Sequence, residues 1–300
     1  PGPLFLKLSR IENNNNNNNK LNKKQRYVTR FIRYSHFYIQ TEPDPMAALC
    51  TSGIGGVVFR PHFRRFSVSS VRFKVQPKNV KGKSKCAQDW LTRQLNDPYV
   101  KQSRYDHYRA RSAYKLIEID ERYGILKPGY TVVECGAAPG SWTQVVVRKT
   151  NSDGKDYNQP KGAVVAVDLI PLDPIPGATL LPEADVQRPE TLARILECLH
   201  GRRADSVLSD MAPSASGVKH LDHDNIVALA YASLIVALQT LSVGGSFLCK
   251  IWDGSRGPQL ARDIEKFFHY VHYVKPKASR GDSAEMYLLG RQFKGAEKDQ

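Results

Sequence analysis

The stretch that decides the fold reads Tyr130-Thr-Val-Val-Glu-Cys135, then Gly136-Ala-Ala-Pro-Gly140, then Ser141-Trp-Thr-Gln-Val-Val-Val147. A β-prone run enters a glycine-rich corner and an amphipathic run leaves it, which predicts a strand, a tight turn and the start of a helix. Free backbone N–H groups and the helix dipole at such a place favour anions or carboxylates. We therefore predict a cofactor cradle. The alternative is an ordinary β-to-α corner whose glycines only turn the chain.

Two phosphate-binding patterns do not match this corner. A Walker loop places Lys and then Ser or Thr after its last glycine, where this chain has Ser141-Trp142. A dinucleotide fingerprint reads G-x-G-x-x-G, and the corner here reads G-x-x-x-G. The cradle is therefore predicted to serve another kind of cofactor.

Beyond the corner, strand patterns alternate with helix patterns, which predicts a three-layer α/β fold with a mainly parallel sheet of seven strands. After the first strand, the predicted strands are residues 163–167, 178–181, 205–209, 246–251, 270–274 and 284–290. Asp168 and Asp210 follow two of them directly, and Asp185 follows a third. Acids at such strand ends accept hydrogen bonds from ribose hydroxyls, although Asp168 alone is also compatible with a helix cap or a turn.

The net charge of +15 suggests nucleic acid as a partner, but it is unevenly distributed. Residues 1–90 hold 17 Lys and Arg against 4 Asp and Glu, so the other 210 residues carry only +2. Residues 1–45, with an asparagine tract, are predicted to be a disordered leader that lies upstream of the true start. Residues 46–86 are Arg-rich and free of acids, as mitochondrial transit peptides are. The alternative for them is a basic RNA-binding arm. A domain is predicted over 87–294 and a tail over 295–300.

Residues 90–111 alternate basic side chains with tyrosines. Such a segment can bind phosphates and stack on unpaired bases, or it can be a solvated helix with aromatic anchors. The five cysteines are widely spaced and lack any C-x-x-C, so we expect free thiols. His220 and His223 lack a third ligand cluster, so we expect no metal and a loop or cap role. The longest apolar run, residues 226–238, is too short to span a membrane.

The corner and the segments after it resemble the FtsJ/RrmJ family of ribose methyltransferases, over about residues 87–294. That family carries a Lys-Asp-Lys-Glu tetrad, and this sequence matches its four settings in order at Lys115 (Arg-Ser-Ala-Tyr-Lys), Asp210 (Ser-Asp-Met-Ala-Pro), Lys250 (Phe-Leu-Cys-Lys) and Glu285 (Ser-Ala-Glu-Met-Tyr). The sequence is most similar to the mitochondrial branch, whose members methylate a uridine of large-subunit rRNA. One departure is Ser214, where the family usually has Asn.

The resemblance implies a Rossmann-like class I fold, S-adenosylmethionine as cofactor, rRNA as partner and the mitochondrial matrix as location. It also implies the cofactor-binding residues, which are Gly136, Pro139, Gly140, Ser141, Trp142, Asp168, Asp185 and Asp210. It leaves the oligomeric state open, and we expect a monomer.

A ribose 2′-hydroxyl is a poor nucleophile, so methyl transfer to it needs a base and in-line placement of the reacting atoms. On the resemblance we expect Lys250 to be the general base and Lys115 to be the neighbouring cation that holds the substrate. Asp210 and Glu285 are then expected to orient the two lysines. Alone, Lys115 is also compatible with a side chain that only reaches from the core to solvent.

Two other functions remain open at this point. An NAD-type oxidoreductase would share the corner and Asp168, but it leaves the lysines at the strand ends unexplained. A non-catalytic RNA-binding factor for ribosome assembly would keep the fold and the basic arm.

Overall fold

The computed structural model of the chain describes residues 77, 82 and 84–295, except 215, 255 and 282. The predicted leader over residues 1–45, nearly all of the predicted transit segment over 46–86, and residues 296–300 lie outside the described residues. The predicted domain over 87–294 falls almost entirely within them.

The described residues contain seven helices and seven strands, and from the first strand onward a helix lies between most successive strands. In chain order they are α1 (Lys85–Asn96), α2 (Pro98–Tyr105), α3 (Ala113–Tyr123), β1 (Thr131–Cys135), α4 (Ser141–Thr150), β2 (Ala163–Val167), β3 (Thr179–Leu181), α5 (Pro189–Cys198), β4 (Ala204–Ser209), α6 (Lys219–Thr240), β5 (Leu241–Trp252), α7 (Gly257–Glu265), β6 (Phe268–Val274) and β7 (Glu285–Phe293).

The strands form one sheet in the order β3-β2-β1-β4-β5-β7-β6. The neighbouring pairs from β3 to β5 are parallel, and β7 is antiparallel to both β5 and β6. Cys135 at the end of β1 lies opposite Val167 of β2 and Ser209 of β4, so these three strands end at one edge. The predicted α/β class with a mainly parallel seven-stranded sheet is confirmed.

The core lies on both faces of the sheet because successive strand side chains point to opposite sides. Val132, Leu208 and Leu248 belong to a fully buried cluster with side chains of α3 and α4, such as Leu116. Alternate residues of the same strands are also fully buried, and Phe247 among them stacks on the ring of Phe268. Helices on the two faces therefore enclose the sheet and give it three layers.

Helix α6 packs along β4 and β5. Residues 220–240 are long and apolar enough, by length and composition only, to cross a membrane, although 56% of the most apolar window is buried in this structure. Ile226, Ala230 and Leu234 are at most 2% exposed, as expected of a core helix. A core helix of this kind passes the same test, so the finding is weak evidence for a span.

Three segments differ from what the sequence predicts. His220 and His223, predicted to have a loop or cap role, lie in the first turns of α6, where Nε2 of His223 accepts from the N–H of Arg256 just before α7. Strand β6 begins at Phe268, two residues before the predicted start at residue 270, because α7 ends at Glu265. Strand β5 begins at Leu241, five residues before the predicted start at residue 246, and has a shift of register against β4 between Ala204 and Ser206. A short periodic run in the sequence does not fix such boundaries, because local periodicity does not show which strand the segment pairs with.

Candidate active site

The glycine corner joins β1 to α4 and is closely packed on both sides. Gly136 and Gly140 have φ angles of +79° and +102°, in the left-handed region that favours glycine. A Cβ atom on Gly136 would lie 2.5 Å from Cγ of Met211, and one on Gly140 would lie 2.7 Å from Cδ1 of Ile175. The corner therefore requires both glycines for backbone conformation and for close approach of its neighbours. Pro139, between them, is exposed.

Asp168 at the end of β2 fixes the shape of this corner. Its Oδ2 accepts a hydrogen bond of 2.7 Å from the backbone N–H of Ala138, and its Oδ1 accepts one of 2.8 Å from Ile170. Each carboxylate oxygen has a further lone pair. Both predicted roles of Asp168 are therefore compatible with the structure. Its carboxylate stabilises the turn through these two hydrogen bonds, and its remaining lone pairs can accept further hydrogen bonds beside the corner.

Arg109, which the sequence suggested as a phosphate contact, supports the corner from the other side. Its guanidinium donates to the backbone oxygens of Pro139, Asp173 and Pro174 at 3.0–3.1 Å. It therefore ties the glycine corner to the proline-rich link after β2. Other members of the same basic and aromatic segment remain exposed, among them Trp90 at 49% and Tyr105 at 79%.

Glu134, the fourth residue of β1, is a buried acid that the sequence analysis did not single out. It is 1% exposed, and its Oε2 accepts a hydrogen bond of 2.7 Å from the hydroxyl of Thr143. Its Oε1 is buried and has no hydrogen-bond partner among the described residues. Burial raises the pKa of Glu134 to about 8, with a smaller contribution from the charges of Asp210 and Asp168. The signal for Glu134 in the sequence was an acidic residue inside a predicted strand, next to the corner.

Ser141 and Trp142, predicted around the cofactor, direct their side chains into the core. The hydroxyl of Ser141 lies 2.6 Å from that of Ser112, and the indole N–H of Trp142 donates to the backbone oxygen of Ser112. The Trp142 ring packs on Tyr287 and is 2% exposed. Any contact that these two residues make with a ligand at the corner therefore comes from backbone atoms.

Lys115 and Glu285 form a pair although 170 residues separate them in sequence. The Lys115 ammonium lies 2.7 Å from Oε1 and 2.8 Å from Oε2 of Glu285, and the hydroxyl of Ser279 also donates to Oε1. Burial by itself raises the pKa of the Glu285 carboxyl, but the charge and hydrogen bond of Lys115, with smaller contributions from Ser279 and Lys250, outweigh it and lower that pKa. Glu285 is therefore a carboxylate at neutral pH.

Lys250 and Asp210 form the second pair. The Lys250 ammonium donates to the backbone oxygen of Asp210 at 2.6 Å and lies 3.1 Å from its Oδ1. The hydroxyl of Tyr287 donates to the same Oδ1 at 2.8 Å. Burial, followed by the charges of Asp210 and Glu285, raises the pKa of Tyr287 well above its usual value, so this phenol stays a donor.

The sheet register explains how these groups meet. Lys250 of β5 lies opposite Tyr287 of β7, and Trp252 lies opposite Glu285. Tyr287 is two residues after Glu285, so both project from the same face of β7. That two-residue spacing was the signal for Tyr287, which the sequence analysis did not name.

Asp185 lies between β3 and α5, where Oδ1 accepts from the N–H of Gln187 at 2.9 Å and Oδ2 lies 3.7 Å from Arg188. It belongs neither to the corner nor to the lysine pairs by direct contact. The part of the chain that the structure describes contains no group of three or more His, Cys, Asp and Glu suited to hold a metal ion. The polar groups at this edge of the sheet are therefore carboxylates, ammonium groups and backbone N–H groups.

Comparison with known proteins gives consistent matches. A model of the FtsJ-like methyltransferase family matches residues 108–293. The "rRNA methyltransferase 2, mitochondrial" of Drosophila melanogaster is 51% identical over 223 residues, which cover 74% of this chain and 89% of that protein. The "Ribosomal RNA large subunit methyltransferase E" of Xanthobacter autotrophicus is 42% identical, over 74% of this chain and 85% of its own length. A crystal structure described as a ribosomal RNA methyltransferase from Plasmodium falciparum has a TM-score of 0.56 at 30% identity, covering 63% of this chain and 100% of that one.

Proposed function

The chain belongs to the FtsJ-like methyltransferase family, and from that premise we propose that it transfers a methyl group from S-adenosylmethionine to a ribose 2′-hydroxyl of large-subunit rRNA. The observation that carries the proposal is the meeting of Lys250, Lys115, Asp210 and Glu285 in two hydrogen-bonded pairs. The rRNA methyltransferases named above support the substrate class.

The residues at the glycine corner suit S-adenosylmethionine, which supplies an electrophilic methyl group on a sulfonium and also carries an ammonium, a carboxylate and ribose hydroxyls. Gly136 and Gly140 allow the left-handed backbone of the corner, and the N–H groups at the start of α4 favour the carboxylate. Asp168 offers lone pairs to ribose hydroxyls. Glu134 has an unpartnered oxygen that would accept from an ammonium group.

Five further residues remain part of the proposed cofactor site. Ser141 and Trp142 would contribute backbone atoms, and Pro139 would line the methionine end. Asp185 would accept a hydrogen bond from the adenine edge, and Asp210 would lie close to the sulfonium.

In the reaction itself, we assign Lys250 as the group that accepts the proton of the 2′-hydroxyl. It is 8% exposed, so little water competes for its nitrogen. Asp210 fixes the position of this nitrogen, and Tyr287 in turn holds the Asp210 carboxylate. Lys115 pairs with Glu285 and would bind the ribose. Positioning of this kind contributes to rate because the reacting atoms must be nearly in line.

The experiment is methylation of transcribed large-subunit rRNA by the purified protein, with labelled S-adenosylmethionine. A 2′-O-methyl group blocks alkaline cleavage of the following phosphodiester, so label should appear in an alkali-resistant dinucleotide. Digestion of that dinucleotide would identify the methylated nucleotide, which we expect to be a uridine, and the gap in an alkaline cleavage ladder of the rRNA would map its position. Label in a base, or no transfer to naked rRNA or to assembled subunits, would contradict the proposal.

We also propose that the protein acts in mitochondria, in the matrix, and that residues 46–86 direct its import. The support is the acid-free basic composition of that segment and the mitochondrial name of the Drosophila relative. Mass spectrometry of the protein from purified mitochondria should show a terminus beyond these residues. An intact terminus at Met46 would contradict the import role.

A further inference from the structure

A polar cavity of about 210 Å³ lies beside the Lys115–Glu285 pair. One water needs roughly 10–15 Å³ by this measure, so the cavity can hold a much larger group. Its lining combines α1, the start of α3, and the loop between β6 and β7: Gln94, Arg111, Lys115, Arg280, Ser283 and Glu285. Neither the tetrad nor the glycine corner accounts for this lining as a whole.

Arg111 is a structural part of the wall. Its guanidinium donates to the Asp97 carboxylate and to the backbone oxygen of Ala278. Glu118 supports the same loop, because its carboxylate accepts from the N–H of Ala278 at 3.2 Å and from the Tyr99 hydroxyl at 3.1 Å. These contacts fix the β6–β7 loop and the start of α2 relative to α3, so this wall of the cavity is built by the fold.

Arg280 makes fewer and longer contacts with the protein than Arg111 does. Its side chain is 30% exposed, and its ion pair with Asp97 is 3.5 Å long. Asp97 accepts a shorter bond from Arg111, so two guanidinium groups share one carboxylate. Because a guanidinium carries five N–H donors, most of those of Arg280 remain available.

The charges around the cavity favour an anion. Among the lining residues, Arg111, Lys115 and Arg280 carry three positive charges and Glu285 carries one negative charge. Gln94 and Ser283 add neutral donors to the lining. Guanidinium, amide and hydroxyl donors are the groups that bind RNA phosphates.

We propose that this cavity holds the phosphodiester on the 3′ side of the methylated ribose, with Arg280 and Gln94 as its contacts. The inference rests on the proposed function. In RNA the 3′-phosphate is attached to the carbon next to the one that bears the 2′-hydroxyl. A ribose held by Lys115 therefore places this phosphate within a few ångströms of the cavity. Arg280 thus sets which nucleotide of the strand reaches the reacting atoms.

The test uses the full chain and an RNA strand containing the mapped nucleotide. Arg280→Gln should weaken RNA binding about tenfold, as loss of one charge-assisted contact does. It should also reduce the slope of log affinity against log salt by about 0.7, the value for one phosphate of a single strand. The affinity for S-adenosylmethionine should stay as in the wild type. Arg202→Gln is the matched control, since Arg202 is exposed before β4, where the strands begin.

A chemical change in the RNA identifies the phosphate. Replacing the 3′ phosphodiester of the target by an uncharged methylphosphonate should weaken wild-type binding as much as Arg280→Gln does. Combined, the two changes should cause little further loss, because they remove the same contact. Additive losses, or an unchanged salt slope for Arg280→Gln, would overturn the inference.

Two further measurements keep the result interpretable. Gln94→Ala should weaken binding by a smaller factor than Arg280→Gln, and it tests the cavity if the arginine variant does not fold. Equal binding of Gln94→Ala and wild type would count against the cavity. If wild-type protein methylates no RNA, the proposed function itself fails; if it does and the cycle is additive, only this inference fails.

Discussion

The two halves of the candidate site treat their acids differently. In the half around the glycine corner, Glu134 and Asp168 are held by a hydroxyl and by backbone N–H groups, and within the described residues neither has an ion-pair partner. In the half around the lysines, Asp210 and Glu285 each pair with an ammonium group. Because unpaired acids favour a nearby cation more than paired ones do, the first half suits the charged ligand that we propose for it. The second half is already complete and positions its lysines.

Removal of a lysine should have the largest effect. Lys250→Ala should lower the single-turnover rate by on the order of 10² to 10⁴, the range for loss of a general base. Binding of S-adenosylmethionine, measured by calorimetry, should change little, because the proposed cofactor contacts lie mainly at the corner. Lys250→Arg should be equally inactive, since a guanidinium does not give up its proton. Activity retained in the arginine variant would leave Lys250 as a positioning group and weaken the contrast between the halves.

The second prediction concerns Glu134 and protein stability. Its folded pKa is about 8 and lies above the ordinary value of 4.5. Between these values the folded state binds the proton and the unfolded state does not, so the free energy of unfolding falls as pH rises. The contribution is fully present below pH 4.5 and is lost as pH increases through 8. Each pH unit in this window costs about 1.4 kcal/mol.

Glu134→Gln should remove this dependence and retain the acceptor for Thr143. Between pH 5.5 and 8 the variant should gain about 3 kcal/mol over the wild type, as judged by urea unfolding without ligand. Parallel stability curves for the two proteins would mean that Glu134 is ionised in the fold. That result would contradict a buried, unpaired Glu134 that stays protonated in the absence of a ligand.

The sequence predicted the parts of the site that follow from strand order. Asp168 and Asp210 come directly after strands, and parallel strands end at one edge, so their convergence could be expected. The pairing of Lys115 with Glu285 came from the resemblance alone, since no local pattern records a contact across 170 residues. The core position of the Trp142 side chain depends on the packing of α4 against β7, which periodicity does not show.

Other features were missed because burial changes what a residue does. Glu134 has the sequence context of an ordinary strand residue, and only its 1% exposure makes it a protonated acid near neutral pH. Arg109 and Arg111 appeared equivalent to the exposed basic residues beside them. In the fold both are held by backbone oxygens, so the basic segment divides into structural arginines and surface cations.

The smallest effect is expected at Asp168, where structural and binding roles overlap. Asp168→Ala should weaken the binding of S-adenosylmethionine by about 1.5 to 3 kcal/mol, the range for a hydrogen bond to a charged group. Asp168→Asn retains an acceptor for the N–H of Ala138 but loses the charge, so it separates support of the corner from hydrogen bonding to ribose. If the ribose contact dominates, calorimetry should place the asparagine variant close to alanine. If support of the corner dominates, asparagine should bind as the wild type does. Glu197→Ala, an exposed acid on α5, is the matched control and should bind normally. Wild-type affinity in Asp168→Ala would make Asp168 a turn residue only and leave Glu134 as the one unpaired acid of the first half with a proposed ligand.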